Sequence, residues 1–348
     1  MHRRLLPALI VSVAALAAAV PAAPAMAAGG DVTVMTRNLY LGADIIGLAL
    51  AQTPEEFQVN ASKLVKVVDR TNFPARAVGL AREIKTARPD LVGLQEAALW
   101  RTGPLNSPEF ASTVRYDFVQ LLLKELRRQG ESYSVVVSQD EFNFEGPSLT
   151  QDVRLTMRDV ILKRRGTKVK VAGTSKGQFT TVFRIPTEVG EAVSFRGWVA
   201  TRASIGGRAF RFVNAHLESY GDAIRTAQAG EMVAPGGPLA DPSARTIFLG
   251  DLNSDPKSKG AAGDAIRVFT GSGMRDVFGS KRKVTFGQNE RLTNLRPVSS
   301  EFIDHILYRP AASFQVKRAA VVGTKRFRRK APLWASDHFG VVATIRVR

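Results

Sequence analysis

Six short clusters along this chain carry carboxylates, carboxamides and imidazoles, the groups that phosphoester chemistry uses. They are Asn38, Gln95-Glu96, Asn214-Ala215-His216-Leu217, Gly250-Asp251-Leu252-Asn253, Ile303-Asp304-His305 and Ser336-Asp337-His338. Together they hold three of the chain's four histidines. Hard oxygen ligands with an amide or two and an imidazole suit hydrolysis of a phosphate ester beside a magnesium ion. No zinc-like ligand pair is present, and the chain has no cysteine to compete for the role.

Each cluster has a physical reading. Glu96 ends an apolar run, where a carboxylate is costly unless it meets a cation or an arginine. Asp251 and Asn253, with Leu252 between them, fall on one side of an extended segment. There a carboxylate could orient or deprotonate water while an amide holds a phosphoryl oxygen. The same Gly-Asp-Leu-Asn-Ser-Asp-Pro stretch is built of turn formers, and a reactive turn satisfies both readings. A neutral histidine such as His338 can take a proton from water near neutral pH when a carboxylate fixes its tautomer. An imidazolium at His216 could instead offset charge building on the phosphoryl or leaving oxygen. Asp304 and His305, adjacent on one expected strand, should point to opposite faces, which leaves His305 outside the catalytic set.

The elements expected to position these groups are apolar strands whose ends bear the polar pairs. Residues 31–39 read as a strand ending near Asn38, and 91–94 as a short buried strand delivering Gln95 and Glu96. Between them, helical spacing runs over 54–88, with Pro74 opening a second helix in its first turn. A further helix is expected over 114–128, then strands over 135–138, 159–163, 168–171 and 193–204. Gly206-Gly207 marks a hairpin whose return strand, 210–214, leads to His216. A helix over 222–233 precedes strands at 246–249, 302–307 and 339–345. This succession of hairpins with interspersed helices predicts an α/β (α+β) fold: a four-layer α/β/β/α sandwich of two mostly antiparallel sheets with helices outside.

In that order, each at a strand end, the six clusters resemble the endonuclease/exonuclease/phosphatase superfamily. That group includes deoxyribonuclease I, apurinic endonucleases, neutral sphingomyelinases and inositol polyphosphate 5-phosphatases. The resemblance runs from about Val32 to Val347. It implies that Glu96 is the principal metal ligand, with Asn38 beside it and Asp337 near the metal. It implies that His216 contacts phosphate or acts as general acid, with Asn214 as a supporting donor that helps to bind substrate. It implies that Asp304 orients His338, and that Asp251, Asn253 and His338 act on the attacking water and the phosphoryl group. Whether His338 or Asp251 activates the water stays open. Magnesium is the expected cofactor, with manganese or calcium as alternatives.

Bulk properties bound the setting. Met1-His2-Arg3-Arg4, the apolar stretch 5–20 and Ala25-Met26-Ala27 read as a secretory signal peptide over 1–27, cleaved before Ala28. The alternative, an uncleaved anchor, is disfavoured because the stretch is alanine-rich and short for a bilayer span. Export implies a secreted, extracellular protein whose single domain, 28–348, is held by its core, since no disulfide is available. With 45% hydrophobic residues it can bury one. The formal charge of +18 favours polyanions, whether nucleic acid, anionic lipid surfaces or polyphosphates. Basic runs at 163–165, 281–283 and 325–330 favour nucleic acid threading past the site, with a phospholipid phosphodiester or an inositol-phosphate-type monoester as the alternatives. Ala97-Ala98 after Glu96, together with His216, departs from the apurinic endonuclease pattern. The chain is expected to act as a monomer.

Overall fold

In a computed structural model, residues 29–281 and 283–348 are described. The expected signal peptide lies outside them. From the N-terminus come β1 (Gly30–Asn38), α1 (Ile46–Ala49), α2 (Pro54–Thr71), α3 (Phe73–Ala87), β2 (Leu91–Gln95) and β3 (Leu99–Gly103). There follow β4 (Thr113–Asp117), α4 (Phe118–Arg128), β5 (Tyr133–Pro147), β6 (Asp152–Arg164), β7 (Lys170–Gln178), β8 (Phe183–Thr187) and β9 (Gly190–Ser194). Then come β10 (Gly197–Ile205), β11 (Arg208–His216), α5 (Asp222–Val233), β12 (Thr246–Asp251) and α6 (Asp264–Gly271). The last are β13 (Arg275–Asp276), β14 (Asp304–Arg309), β15 (Phe314–Val322) and β16 (Gly340–Val347).

Two sheets pack face to face. The first runs β15-β16-β1-β2-β6-β5-β9-β8 with β3 and β4 beside β6, and the second runs β13-β14-β12-β11-β10-β7. Pairing is antiparallel except at β1–β2 and β11–β12. The alternation of β1 shows how sequence builds the layers. Val32 and Val34 face the second sheet, where Phe212, Ile247, Leu249 and Ile306 meet them. Met35 faces outward onto Leu80 and Ile84 of α3. On the far side, Ala229 and Met232 of α5 and Ile266 and Phe269 of α6 cover Val213, Phe248 and Leu307. The result is the expected four-layer sandwich.

Several boundaries differ from the sequence reading. Residues 113–117 form β4 rather than the start of a helix, because the Asp117 carboxylate caps α4 by accepting from the Val119 and Gln120 N–H groups. The expected strand over 193–204 breaks into β9 and β10 at Phe195-Arg196, where Arg196 takes a left-handed φ of 51°. Strands β3, β8 and β15 have no counterpart in the sequence reading. The hairpin at Gly206-Gly207 is as expected, both residues having the positive φ that such turns require.

Close approach of the two sheets depends on Gly93. A Cβ there would lie 2.3 Å from Leu249 Cδ1 and 2.7 Å from Asn214 Oδ1. We therefore expect Gly93→Ala to lower unfolding stability in urea by about 1–3 kcal/mol, the usual cost of overpacking a closed core. Wild-type stability in that variant would mean that the layers can separate without loss.

Candidate active site

Strand register brings the clusters together before any side chain is considered. His216 on β11 pairs with Asp251 on β12, which pairs with Asp304 on β14. In the other sheet Asn38 on β1 pairs with Gln95 on β2. These ends share one rim of the sandwich, and Asn38 joins the two sheets. Its amide nitrogen donates to Glu96 Oε1 at 3.0 Å and to Asp251 Oδ2 at 2.9 Å. Its oxygen accepts the Tyr40 N–H at 2.8 Å, which fixes the amide's orientation.

Asp251 is the hub. Besides Asn38, its Oδ2 faces His338 Nε2 at 3.5 Å and His216 Nε2 at 3.6 Å. The other nitrogen of His338, Nδ1, meets Asp304 Oδ2 at 2.9 Å. Glu96 and Asp337 line the same cleft of about 450 Å³, as do Asp251, Asn253, His216 and His338. Among the eight non-glycine residues with positive φ in the described chain, Tyr40, Glu96, Arg196 and Asn253 all line it. Such conformations are uncommon, and they gather where surrounding structure forces a side chain toward a task.

Electrostatics assigns charge within the cluster. Burial, joined by Asp304 and Glu96, pushes Asp251 up to about 7 despite His338 and the Asn38 bond. Burial and Glu96 push Asp337 up to about 6. Burial works against a charged His338, but Asp304, Asp251 and Asp337 outweigh it and hold the imidazole well above its ordinary value. These three carboxylates therefore favour the protonated form of His338. His216 is the opposite case: burial, then Arg196 and His338, hold it well below the ordinary value. These causes favour a neutral ring at His216 over the expected imidazolium, and the Arg196 guanidinium supplies a positive charge beside it.

Arg196 and its surroundings were not read from the sequence. Its Nη1 lies 2.9 and 3.0 Å from the two His216 ring nitrogens, and its Nε bonds Glu218 Oε2 at 3.3 Å. Behind His216 a bulge in β5 turns Glu141 toward Asp159 of β6. None of their four carboxylate oxygens receives a donor from outside the pair, and both side chains are fully buried. Burial pushes Glu141 up to about 8, and burial with the Glu141 charge pushes Asp159 well above the carboxylate range. Arg76, also unforeseen, pins the loops from inside, donating to the Leu39, Tyr40 and Ala335 carbonyls. Arg196 lies at a strand break that the sequence pattern does not mark, and Glu218 lies two residues after His216.

Two expected roles change with the geometry. Asn214 lies between the sheets and away from the cleft, donating to the Leu94 carbonyl and accepting from Gln95. It ties the sheets together and touches no substrate space, because its strand position precedes the rim by two residues. Asn38 presents its amide nitrogen to the carboxylates, so in this orientation it steers Glu96 and Asp251 rather than ligating a cation. Asn253 departs from an extended conformation, with φ 47°. Its N–H caps Asp251 Oδ1 and its amide bonds the Leu217 carbonyl, yet it still faces the cleft. His305 turns away as expected. Its Nδ1 meets Asp276 at 2.9 Å and its Nε2 meets the Ser254 and Phe302 carbonyls at 3.1 Å. Both ring nitrogens thus face acceptors, which makes it a structural cation.

The donor set fits a divalent metal. Ligand atoms of Glu96, His216 and Asp251 lie within 4.8 Å of one another. The raised Asp251 and Asp337 carboxyls are short of counter-charge, and hard oxygens of this kind match a small hard cation. Of the residues expected to hold it, Glu96 belongs to this cluster and Asp337 lines the same cleft.

Comparison with known proteins agrees with this fold. An endonuclease/exonuclease/phosphatase family protein from Bacteroides thetaiotaomicron superposes with a TM-score of 0.56 at 17% identity, covering 92% of this chain and 99% of that one. A mannosyl-6-phosphatase from Bacteroides thetaiotaomicron VPI-5482 gives 0.54 at 18% identity, covering 90% and 99%. TDP2 of D. rerio complexed with single-strand DNA product gives 0.53 at 20% identity, covering 90% and 98%. At these identities the likeness shows the fold. No curated protein matches the chain. The family model described as "Endonuclease/Exonuclease/phosphatase family" matches residues 58–338, and the chain belongs to that family.

Proposed function

We propose that this protein is a secreted, monomeric, divalent-metal-dependent phosphodiesterase. The observation that carries the reading is the convergence on Asp251 Oδ2 of Asn38 from one sheet, His216 from the other and His338 from the connection before β16. A divalent cation (magnesium, or manganese or calcium), held by Glu96 and Asp337, would polarise a phosphoryl oxygen and draw off its charge. The chain's own groups supply the rest. Asp251, poised near neutrality, takes the proton from a water aligned opposite the leaving oxygen. His338, kept protonated through Asp304, presents Nε2–H to the phosphoryl oxygens, as Arg196 does from the other side, and gives that proton to the departing oxygen as the P–O bond breaks. Asn253 borders the same space and fixes the Asp251 carboxylate. In this assignment the water's proton goes to Asp251 rather than to His338.

Two substrate classes have support. The charge of +18 favours nucleic acid, drawn in over a distance. Among the described residues, none of 163–165, 281–283 and 325–330 lines the cleft, so a strand threading past the site would meet those runs outside it. A phospholipid diester is the second reading, favoured by an apolar cavity adjoining the cleft. No helix among the described residues is long and apolar enough to cross a membrane.

The test is release of p-nitrophenol from bis(p-nitrophenyl) phosphate. Activity should vanish with a strong chelator, return on adding magnesium or manganese, and be missing from a Glu96→Ala/His338→Ala variant. Equal rates with and without chelator would exclude the metal-dependent reading. DNA, RNA and sphingomyelin assayed in parallel rank the substrates.

A further inference from the structure

Beside the cleft, and sharing Ile45, Phe142, Ile185 and Tyr220 with it, lies a second cavity under α1 and α2. Its inner space is about 50 Å³, roughly three to four times what one water needs. Phe57, Leu64, Trp100 and Phe144 form its walls. The few polar groups on its lining are all turned to partners of their own. Trp100 Nε1 donates to the Leu41 carbonyl, the Tyr220 hydroxyl to Asp44 and the Thr187 hydroxyl to the Gly190 carbonyl. Nothing there would hold water, so the cavity suits hydrocarbon. Its roof is unusual for a helix. No residue of α1 is buried, and Leu50 at its end is 65% exposed. The cleft beside it carries Asp44, Glu290 and Glu301 together with Arg196 and Arg225.

We propose that this cavity holds the alkyl chain of an amphiphilic phosphodiester whose phosphate sits at Asp251 and His338. The proposal deepens the hydrolase reading and rests on it for the position of the phosphate. The occupant is the chain of a lipid-like ester, entering between α1 and β8 with its outer carbons along Leu50. A nucleobase is a poor fit, because its polar edges would be buried without partners.

Two measurements test the proposal. The first is kcat/KM for methyl, butyl and octyl p-nitrophenyl phosphate. The second is Trp100 emission during titration with dodecylphosphocholine below its micelle concentration, with Trp100→Phe as the blank. Specificity should rise about fourfold per methylene, roughly 50-fold from methyl to butyl, and then level off. Ala49→Phe, on α1 and outside the catalytic set, should fill the cavity. It should flatten the series, leave the methyl ester unchanged and abolish the Trp100 response. A Trp100 response without hydrolysis of any ester would keep the cavity assignment and remove the hydrolase reading. Equal rates for methyl and octyl esters with a silent Trp100 would overturn the proposal, and preferential turnover of DNA or RNA in that case would assign the cleft to nucleic acid.

Discussion

Replacing His338 with alanine is expected to lower turnover of a phosphodiester by about 10²–10⁴-fold, the usual worth of a positioned proton donor or acceptor. The more discriminating change is Asp304→Asn. Asp304 raises the pKa of both His338, which it contacts, and Asp251, which it faces across the β12–β14 pairing. With Asp251 acting as carboxylate and His338 as imidazolium, the pH profile of kcat is a bell. Its acid limb is the ionisation of Asp251 and its alkaline limb the loss of the His338 proton. Removing the Asp304 charge lowers both values, so both limbs should move toward acid together. A His338 that acted as a neutral base would behave differently, since its deprotonation would form the acid limb and no His338 limb would appear at alkaline pH. An unchanged rate in His338→Ala would take that residue out of the mechanism altogether.

The parts of this site that were legible in the sequence are those fixed by strand ends. Glu96, His216, Asp251, Asp304 and His338 each follow or start a short apolar run, and a strand delivers its terminal residue to a predictable rim. The layer architecture was legible for the same reason, since alternating and buried runs differ visibly from the helical spacing of 54–88. What was not legible is set by partners distant in sequence. The break at Phe195-Arg196 occurs inside a stretch whose pattern continues as strand, and only the Glu141 carbonyl, which accepts both the Phe195 and Arg196 N–H groups, explains it. The charge state of His216 depends on Arg196 twenty positions earlier, and no local signal carries that. Asn214 was misplaced by two residues' worth of strand, enough to move it from the rim into the space between the sheets. The basic runs were visible as composition, but composition has no address. That none of their described residues lines the cleft is a property of the fold.

The second large effect concerns stability. Glu218 is buried beside Arg196, and its oxygens also accept the Ser194 hydroxyl and the Ser219 and Tyr220 N–H groups. Burial works against its charge, but Arg196 and these donors hold it below the ordinary carboxylate value. Glu218→Gln keeps the shape and removes the charge, which leaves Arg196 desolvated with its strongest partner gone. Breaking a buried pair in this way costs about 3–5 kcal/mol, whereas exchanging both members for apolar groups of similar size is often neutral. Urea unfolding should therefore show Glu218→Gln strongly destabilised and Arg196→Met/Glu218→Leu close to wild type. The double variant separates the two roles of Arg196. If the guanidinium binds the phosphoryl oxygens, turnover should remain about 10²–10³-fold down in a protein of normal stability. If the pair serves packing alone, stability and rate should recover together. Wild-type stability in Glu218→Gln would mean that the Glu141–Asp159 pair, ionised beyond one shared proton, already balances Arg196, and the charge assignment behind His216 would have to be redrawn.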